Sequence, residues 1–344
     1  MRLVVDSKIP FLEGVFEPYA EVVYKDGKEI SAKDVADASA LIVRTRTRCD
    51  ASLLEESEVE IVSTATIGTD HIDLDWCRSR GIVVANAAGC NAGGVMNYVL
   101  SSLYAVSSRR SIRLDGAVFG IIGVGNVGKM VEQAARKLGF DVLLCDPPRA
   151  VKEGPEAFCS LDYLLDNSDI VTIHTPLDET TSGMAGEDFF RKIKPGAVFI
   201  NAARGEIVDE PALIHAAPKL GAVIIDTWCN EPRINPMLMD LSDIATPHIA
   251  GYSYQGKQRG TAMAVRAVAK HFGLGELYDF FPKAENAELS PIRLDPSGKS
   301  QGEIAALMQY NYPVFTDDFM FRIDPDAFEK LRGEYSYRRE FYIE

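Results

Sequence analysis

Gly123-Val124-Gly125-Asn126-Val127-Gly128, reached from the apolar run Ala117-Val118-Phe119-Gly120-Ile121-Ile122 and followed by Asp146, decides how this chain is read. Three glycines at that spacing recur in many turns. Here a strand precedes them, an amphipathic stretch over 127–138 follows, and a second apolar run (Val142-Leu143-Leu144-Cys145) delivers an acid at its end. That context is a dinucleotide-binding turn. Gly123 permits the tight turn, Gly125 lets a pyrophosphate approach backbone, and Gly128 lets helix pack closely on strand. The N–H groups of Asn126 and Val127 open the helix, whose positive end faces the phosphates. Asp146 would accept from both ribose hydroxyls and repel a 2′-phosphate, so the expected cofactor is NAD. A structural βαβ turn without ligand is the competing reading.

Outward from that turn the pattern is strand, helix, strand. Leu3-Val4-Val5, Glu21-Val22-Val23-Tyr24, Leu41-Ile42-Val43 and Ile61-Val62-Ser63 read as strands, with helical stretches over 31–38 and 50–56 between them. A long apolar helix over 93–108 precedes the glycine turn. Beyond it the alternation resumes at Ile170-Val171-Thr172-Ile173, Ala197-Val198-Phe199-Ile200-Asn201, Val223-Ile224-Ile225 and Ile244-Ala245. Alternating strands and helices predict parallel sheets wrapped by helices. The expected fold class is α/β: two Rossmann-like or flavodoxin-like parallel-sheet domains flanking a cleft, plus a small C-terminal α+β extension. From about Glu285 the chain is polar and then rich in aromatics (Tyr310, Tyr312, Phe315, Phe319, Phe321, Phe328, Tyr335, Tyr337, Phe341, Tyr342), which predicts a partner surface rather than a self-contained core.

The bulk numbers narrow the function classes. With 344 residues the chain holds two or three domains. A net charge of −14 leaves no basic surplus for nucleic acid or an anionic membrane. The six cysteines lie far apart, which suits free thiols in a reducing, cytoplasmic setting better than a disulfide framework or zinc site. The chain enters a strand at once, so no signal peptide is expected.

Polar residues at three strand ends carry the expected chemistry: Asn201-Ala202-Ala203-Arg204-Gly205, Asp226-Thr227-Trp228-Cys229-Asn230-Glu231-Pro232 and Thr246-Pro247-His248-Ile249-Ala250-Gly251. Oxidising a 2-hydroxy acid needs a base for the hydroxyl proton, a cation for the carboxylate, and a partner that fixes the base's tautomer. His248, Arg204 and Glu231 fit those roles. Each has a plainer reading: His248 as a core histidine, Arg204 paired with Asp209, Glu231 solvated. In the first half, Arg44-Thr45-Arg46-Thr47-Arg48 ends a strand, and in extended chain its arginines share one side, a plausible phosphate cradle.

At these residues the chain resembles the D-isomer-specific 2-hydroxyacid dehydrogenases. The likeness runs through Val43-Arg44-Thr45, Thr64-Ala65-Thr66-Ile67-Gly68-Thr69-Asp70-His71, Ala88-Gly89-Cys90-Asn91-Ala92, the glycine turn, Leu144-Cys145-Asp146-Pro147-Pro148-Arg149-Ala150, His174-Thr175-Pro176 and His248-Ile249-Ala250-Gly251-Tyr252. The double proline after Asp146 and the tyrosine after the histidine loop point to the branch that oxidises 4-phospho-D-erythronate with NAD on the way to pyridoxal 5′-phosphate. The resemblance implies catalytic Arg204, Glu231 and His248, and substrate contacts at Thr45, Thr66 and Tyr252; Arg44 and Arg46 are phosphate candidates from the cradle pattern itself. It implies cofactor contacts at Asn126, Val127, Asp146, Thr175, Ala202, Ala203, Asp226 and Gly251.

The domains would be a substrate-binding lid (1–92 and 255–284), an NAD-binding domain (93–254) and a dimerisation-type domain (285–344) of a homodimer. Another D-2-hydroxyacid dehydrogenase, such as one acting on 3-phosphoglycerate, is the same-class alternative. An NAD-sensing corepressor-like binding protein is the alternative of another class. Departures from the family pattern are Ala88, Gly93-Gly94, Asn97 and Cys229-Asn230; the two glycines are expected to loosen the long helix, at about 1 kcal/mol each against alanine.

Overall fold

The computed structural model describes residues 1–283 and 289–344. The chain divides into two compact units: residues 1–91 with 254–290, and 92–253 with 291–344. The boundary expected at 284/285 lies outside the described residues.

The first unit is built on five parallel strands, β1 (Arg2–Asp6), β2 (Glu21–Lys25), β3 (Ala40–Val43), β4 (Ile61–Thr64) and β5 (Val83–Asn86), in the order β2-β1-β3-β4-β5. This is the flavodoxin-like order. Strands β1, β3 and β4 are nearly continuous apolar runs because helices cover both faces, as parallel sheets require. Helix Tyr254–Phe272 covers one of them: its Ala264, Val265 and Val268 pack with Leu3, Val5, Ile42 and Ile61. The short strand β5, which is half exposed, was passed over in the sequence reading although Ile82-Val83-Val84-Ala85 is an apolar run of strand length.

The second unit holds six parallel strands, β6 (Val118–Ile122), β7 (Asp141–Cys145), β8 (Ile170–Ile173), β9 (Val198–Asn201), β10 (Ala222–Ile225) and β11 (Ile244–Ala245), ordered β11-β10-β9-β8-β6-β7. The chain reverses direction across the sheet between β6 and β8, the switch point at which ligands of such sheets bind. The register matters for function. Cys145, Ile122, Ile173, Asn201, Ile225 and Ala245 pair in one row across all six strands. Every loop that the sequence marked in this unit therefore leaves the same edge.

Helix Ala92–Arg110 is buried from Ala92 to Ser107, so it behaves as a core element with no polar face. Its two glycines are explained by close approach. A Cβ on Gly93 would collide with the buried Glu340 carboxylate, and one on Gly94 would press on Gly251 backbone at 3.2 Å. The expected loosening is therefore better read as accommodation of neighbours.

The C-terminal segment adds β12 (Ile292–Leu294) and β13 (Phe341–Ile343), a parallel pair, and helices Gln301–Asn311, Val314–Ile323 and Phe328–Gly333. It does not stand apart as the expected separate domain but shares a compact unit with the nucleotide sheet. Met308, Tyr312, Val314, Phe341 and Ile343 fill the core beneath the long helix, while Phe321 and Phe328 enter a second core with Trp228. The aromatics thus divide. Four of them (Tyr312, Phe321, Phe328, Phe341) are core, which corrects the reading of the whole set as a partner surface, whereas Tyr310 (85% exposed) and Phe319 (61%) remain outside. Asn97 joins the segment to the long helix: its amide donates to the Phe341 carbonyl at 2.7 Å and accepts from the Phe341 N–H at 3.0 Å.

Candidate active site

At the switch point Gly123 adopts φ +83°, and a Cβ there would meet the Thr175 N–H at 2.7 Å. Gly128 lies so close to the Gly123 carbonyl that no side chain fits, whereas Gly125 has open space around it. Gly125 caps helix Asn126–Lys137 without a side-chain hydrogen bond, so the N–H groups of the first turn are left to a ligand. Asp146 accepts from Val124 N–H at 2.8 Å and from Arg149 N–H at 3.0 Å, which pins its carboxylate beside the glycine turn. Thr175, on the neighbouring strand end, has a buried Oγ1 with no partner. An orphaned hydroxyl, an open glycine and an uncapped helix N-terminus suit a dinucleotide, and the residue set fits NAD. Beside them burial pushes the His174 imidazole down to about 3, so this ring stays neutral and is not a competing base.

The next three strand ends carry the expected catalytic residues. After β9, Asn201 shapes the turn: its Oδ1 accepts from Ala203 N–H at 3.1 Å and its amide donates to the Arg204 carbonyl at 3.0 Å. Arg204, extended and half-buried, donates through Nη1 to the adjacent Ala203 carbonyl. It makes no ion pair with Asp209, which instead caps helix Glu210–Ala216. Gly205 is required here, since a Cβ would run into the Trp228 backbone.

After β10, Glu231 and His248 meet. His248 Nδ1–H donates to Glu231 Oε2 at 2.8 Å, with Oε1 at 3.1 Å, and Oε1 also accepts from Trp228 N–H at 3.0 Å. With Nδ1 carrying the proton, Nε2 of the neutral ring is the free base. Burial works against the Glu231 charge, but the His248 hydrogen bond and charge, the Trp228 N–H and Arg332 together hold the carboxyl below its ordinary value. Asn230 sits at φ +59°, a left-handed position that Asn tolerates, which accounts for the unusual residue before Glu231.

After β11, His248 itself has φ +56°, uncommon for a non-glycine residue. The loop is held in that shape by Asp226. Its Oδ1 accepts from Thr246 Oγ1 (2.7 Å) and Ile249 N–H (2.8 Å), and its Oδ2 from Ala250 N–H (2.9 Å). Tyr98 in turn donates to Thr246, and the buried Trp228 indole donates to the Thr246 carbonyl. Burial pushes the Asp226 carboxyl up. Asp226 was expected at the cofactor; here its carboxylate is engaged with its own loop, an anchoring position that composition alone did not reveal. Tyr252 lies against Tyr335 and Tyr337 of the C-terminal segment, at 6.1 and 6.2 Å between ring centroids. Arg332, 3.8 Å from Glu231 Oε2, was missed by the sequence reading because nothing in its local pattern sets it apart.

In the first unit the expected cradle is rearranged. The chain turns after Val43, so Arg44, Arg46 and Arg48 do not share a strand face. Arg44 Nε donates to the fully buried Asp6 at 2.9 Å, and Arg48 pairs with Asp50. Thr47 is buried, donating to the Gly27 carbonyl, while Thr45 and Arg46 are exposed. The reason lies on the neighbouring strand: Asp6 at the end of β1 needs a cation, and Arg44 at the adjacent strand end supplies it. Thr66 bonds Thr64 at 2.6 Å.

Among the described residues the cysteines are all free, no His/Cys/Asp/Glu group could hold a metal, and no helix is long and apolar enough to cross a membrane.

Residues 97–250 match the D-isomer specific 2-hydroxyacid dehydrogenase NAD binding domain. Over 99% of its length the chain is 41% identical to the erythronate-4-phosphate dehydrogenase of Bacteroides fragilis, covering 97% of that protein. It is also 41% identical to that of Chromohalobacter salexigens, covering 92% of it. Among solved structures, the NAD+-bound 3-phosphoglycerate dehydrogenase of Entamoeba histolytica superposes with a TM-score of 0.66 at 26% identity, over 81% of this chain and 97% of that one. The chain is an NAD-dependent dehydrogenase and belongs to the D-isomer-specific 2-hydroxyacid dehydrogenase family, in the branch of the erythronate-4-phosphate dehydrogenases.

Proposed function

We propose that this enzyme oxidises 4-phospho-D-erythronate at its C2 hydroxyl to (R)-3-hydroxy-2-oxo-4-phosphooxybutanoate, a step toward pyridoxal 5′-phosphate. The observation that carries the reaction is the Glu231–His248 pair on the same sheet edge as the glycine turn. His248 Nε2 takes the hydroxyl proton as the C2–H bond breaks, and the ring, then cationic, stays steadied by Glu231. Arg204 grips the substrate carboxylate and so aims C2. When bound, NAD supplies the hydride acceptor. Gly123, Gly125, Gly128, Asn126, Val127, Thr175, Ala202, Ala203 and Gly251 would hold it, Asp146 would take the adenosine ribose, and Asp226 would keep the loop in place.

Thr45, Thr66, Arg46 and Tyr252 are proposed substrate residues. Arg44 supports the site from its pair with Asp6. Exposed Tyr310, Phe319, Met320 and Ile323 on the C-terminal helices support a homodimer, and free thiols support a cytoplasmic location.

The test is formation of NADH by the purified chain with 4-phospho-D-erythronate, 3-phosphoglycerate and unphosphorylated erythronate in parallel. The first is expected to have the highest kcat/KM. Preference for 3-phosphoglycerate would move the enzyme to the same-class alternative; NAD binding without turnover of any of the three would favour a sensor.

A further inference from the structure

The C-terminal segment reaches the proton-transfer pair. Arg332, on helix Phe328–Gly333, places Nη1 at 3.8 Å from Glu231 Oε2, the same oxygen that accepts from His248 at 2.8 Å. Its side chain is half-buried, and its Nε is buried with no partner, an N–H that a two-pronged grip on the carboxylate would satisfy. The helix has little freedom to drift. Phe328 is fully buried against Phe321 (5.7 Å between centroids), and Phe321 lies 6.2 Å from Trp228, whose N–H holds the other oxygen of Glu231. One aromatic cluster therefore seats both the cation and the carboxylate.

We propose that Arg332 is a positioning residue: its guanidinium completes a cation–carboxylate–imidazole line with Glu231 and His248 and keeps the carboxylate turned toward the ring. The geometry stands by itself, while its meaning for catalysis rests on the reaction proposed above. The charged surroundings leave this task to Arg332. Asp226 faces His248 from the end of β10. Glu206, Asp209 and Glu210 crowd Cys229, two residues before Glu231. Arg204 leaves the neighbouring strand and is directed by the Ala203 carbonyl, and the same short helix also carries Glu329 and Lys330. Among these groups, His248 and Arg332 are the cations that favour the Glu231 charge most. Burial works against the Glu231 charge, so a fixed cation helps to keep the carboxylate both ionised and aimed.

The experiment uses the full chain with Arg332→Met and Arg332→Lys, and two readouts. Carbon NMR follows the Glu231 carboxyl, assigned by its loss in Glu231→Gln; steady-state kinetics gives kcat and the KM for NAD. The methionine variant is expected to raise the Glu231 titration midpoint by about half a pH unit and to lower kcat about tenfold with the KM for NAD unchanged. The lysine variant, which keeps the charge, should recover most of both. Should the methionine variant fail to fold, Arg332→Gln, whose amide preserves packing and a donor, takes its place. An unchanged Glu231 midpoint and an unchanged kcat would overturn the proposal, as would a lysine variant as impaired as the methionine one. A shifted midpoint in a protein that turns over none of the hydroxy acids would leave the brace standing and remove the functional reading instead.

Discussion

The loop that carries His248 and the turn that carries Arg44 to Arg48 both leave a parallel sheet at its carboxyl edge, yet they are built in opposite ways. Around His248 the polar groups are tied to the scaffold. Asp226, 1% exposed, ties down Thr246, Ile249 and Ala250, Trp228 ties the Thr246 carbonyl, and the Asp226 carbonyl accepts from His248 N–H. In the arginine turn Arg44 and Thr47 are drawn inward to Asp6 and the Gly27 carbonyl, while Thr45, Arg46 and Arg48 are exposed, Arg48 pairing with Asp50. The difference follows from the tasks proposed for them. Proton transfer fails over a fraction of an ångström, so its loop must be rigid. A cation that attracts a phosphate acts over a longer range and tolerates a looser mount.

The sharpest way to break this comparison is His248→Asn. Asn accepts the left-handed backbone at this position, so the loop should survive while the base is lost. We expect kcat to fall by about 10²- to 10⁴-fold with NAD affinity unchanged, read by turnover and by fluorescence titration. Retained turnover would show that the rigid loop serves something other than the base.

The arginine turn gives the next largest effects, and they should separate by residue. Arg44→Gln strands the buried Asp6 charge and should cost about 3 kcal/mol of stability, measured by urea unfolding. Arg46→Gln should leave stability within about 0.5 kcal/mol and selectively raise the KM of phosphorylated over unphosphorylated acids. If both variants behave alike, the division between a structural and a binding arginine fails.

The smallest effect is a titration. Because the Glu231 carboxyl is held low, the stability that its charge contributes is fully present above the ordinary glutamate value of about 4.3. It is lost only as pH falls through the lowered value. Carbon NMR should therefore place its midpoint below that reference. A midpoint above it would mean that burial outweighs the histidine and both arguments about the loop need revision.

Much of this was legible in the primary string because it is written in local patterns. Glycine spacing, apolar runs of strand length and the acid ending the second strand are short-range signals, and every strand of both sheets except β5 falls where those signals were read. Arg204, Glu231 and His248 could be picked out as candidates because each follows such a run, whereas Ala202 and Ala203 came only from the family resemblance. Other features have no local signature. Gly93 reads as a helix weakness until Glu340 is seen pressed against it, and Asn97 reads as a departure until it is seen holding Phe341. The arginine turn was misread as extended chain because a buried acid at residue 6 draws Arg44 inward, a contact across 38 positions.

The amino-acid sequence alone thus determined the α/β class, the nucleotide turn and the residue types able to take a proton, since each depends on neighbours a few positions apart. Only the tertiary structure decided that Asp226 anchors the histidine loop, that Tyr312, Phe321, Phe328 and Phe341 are core, and that Arg332 stands beside Glu231. Those facts arise from burial, where an unpaired charge or N–H is costly and must find a partner wherever the fold brings one.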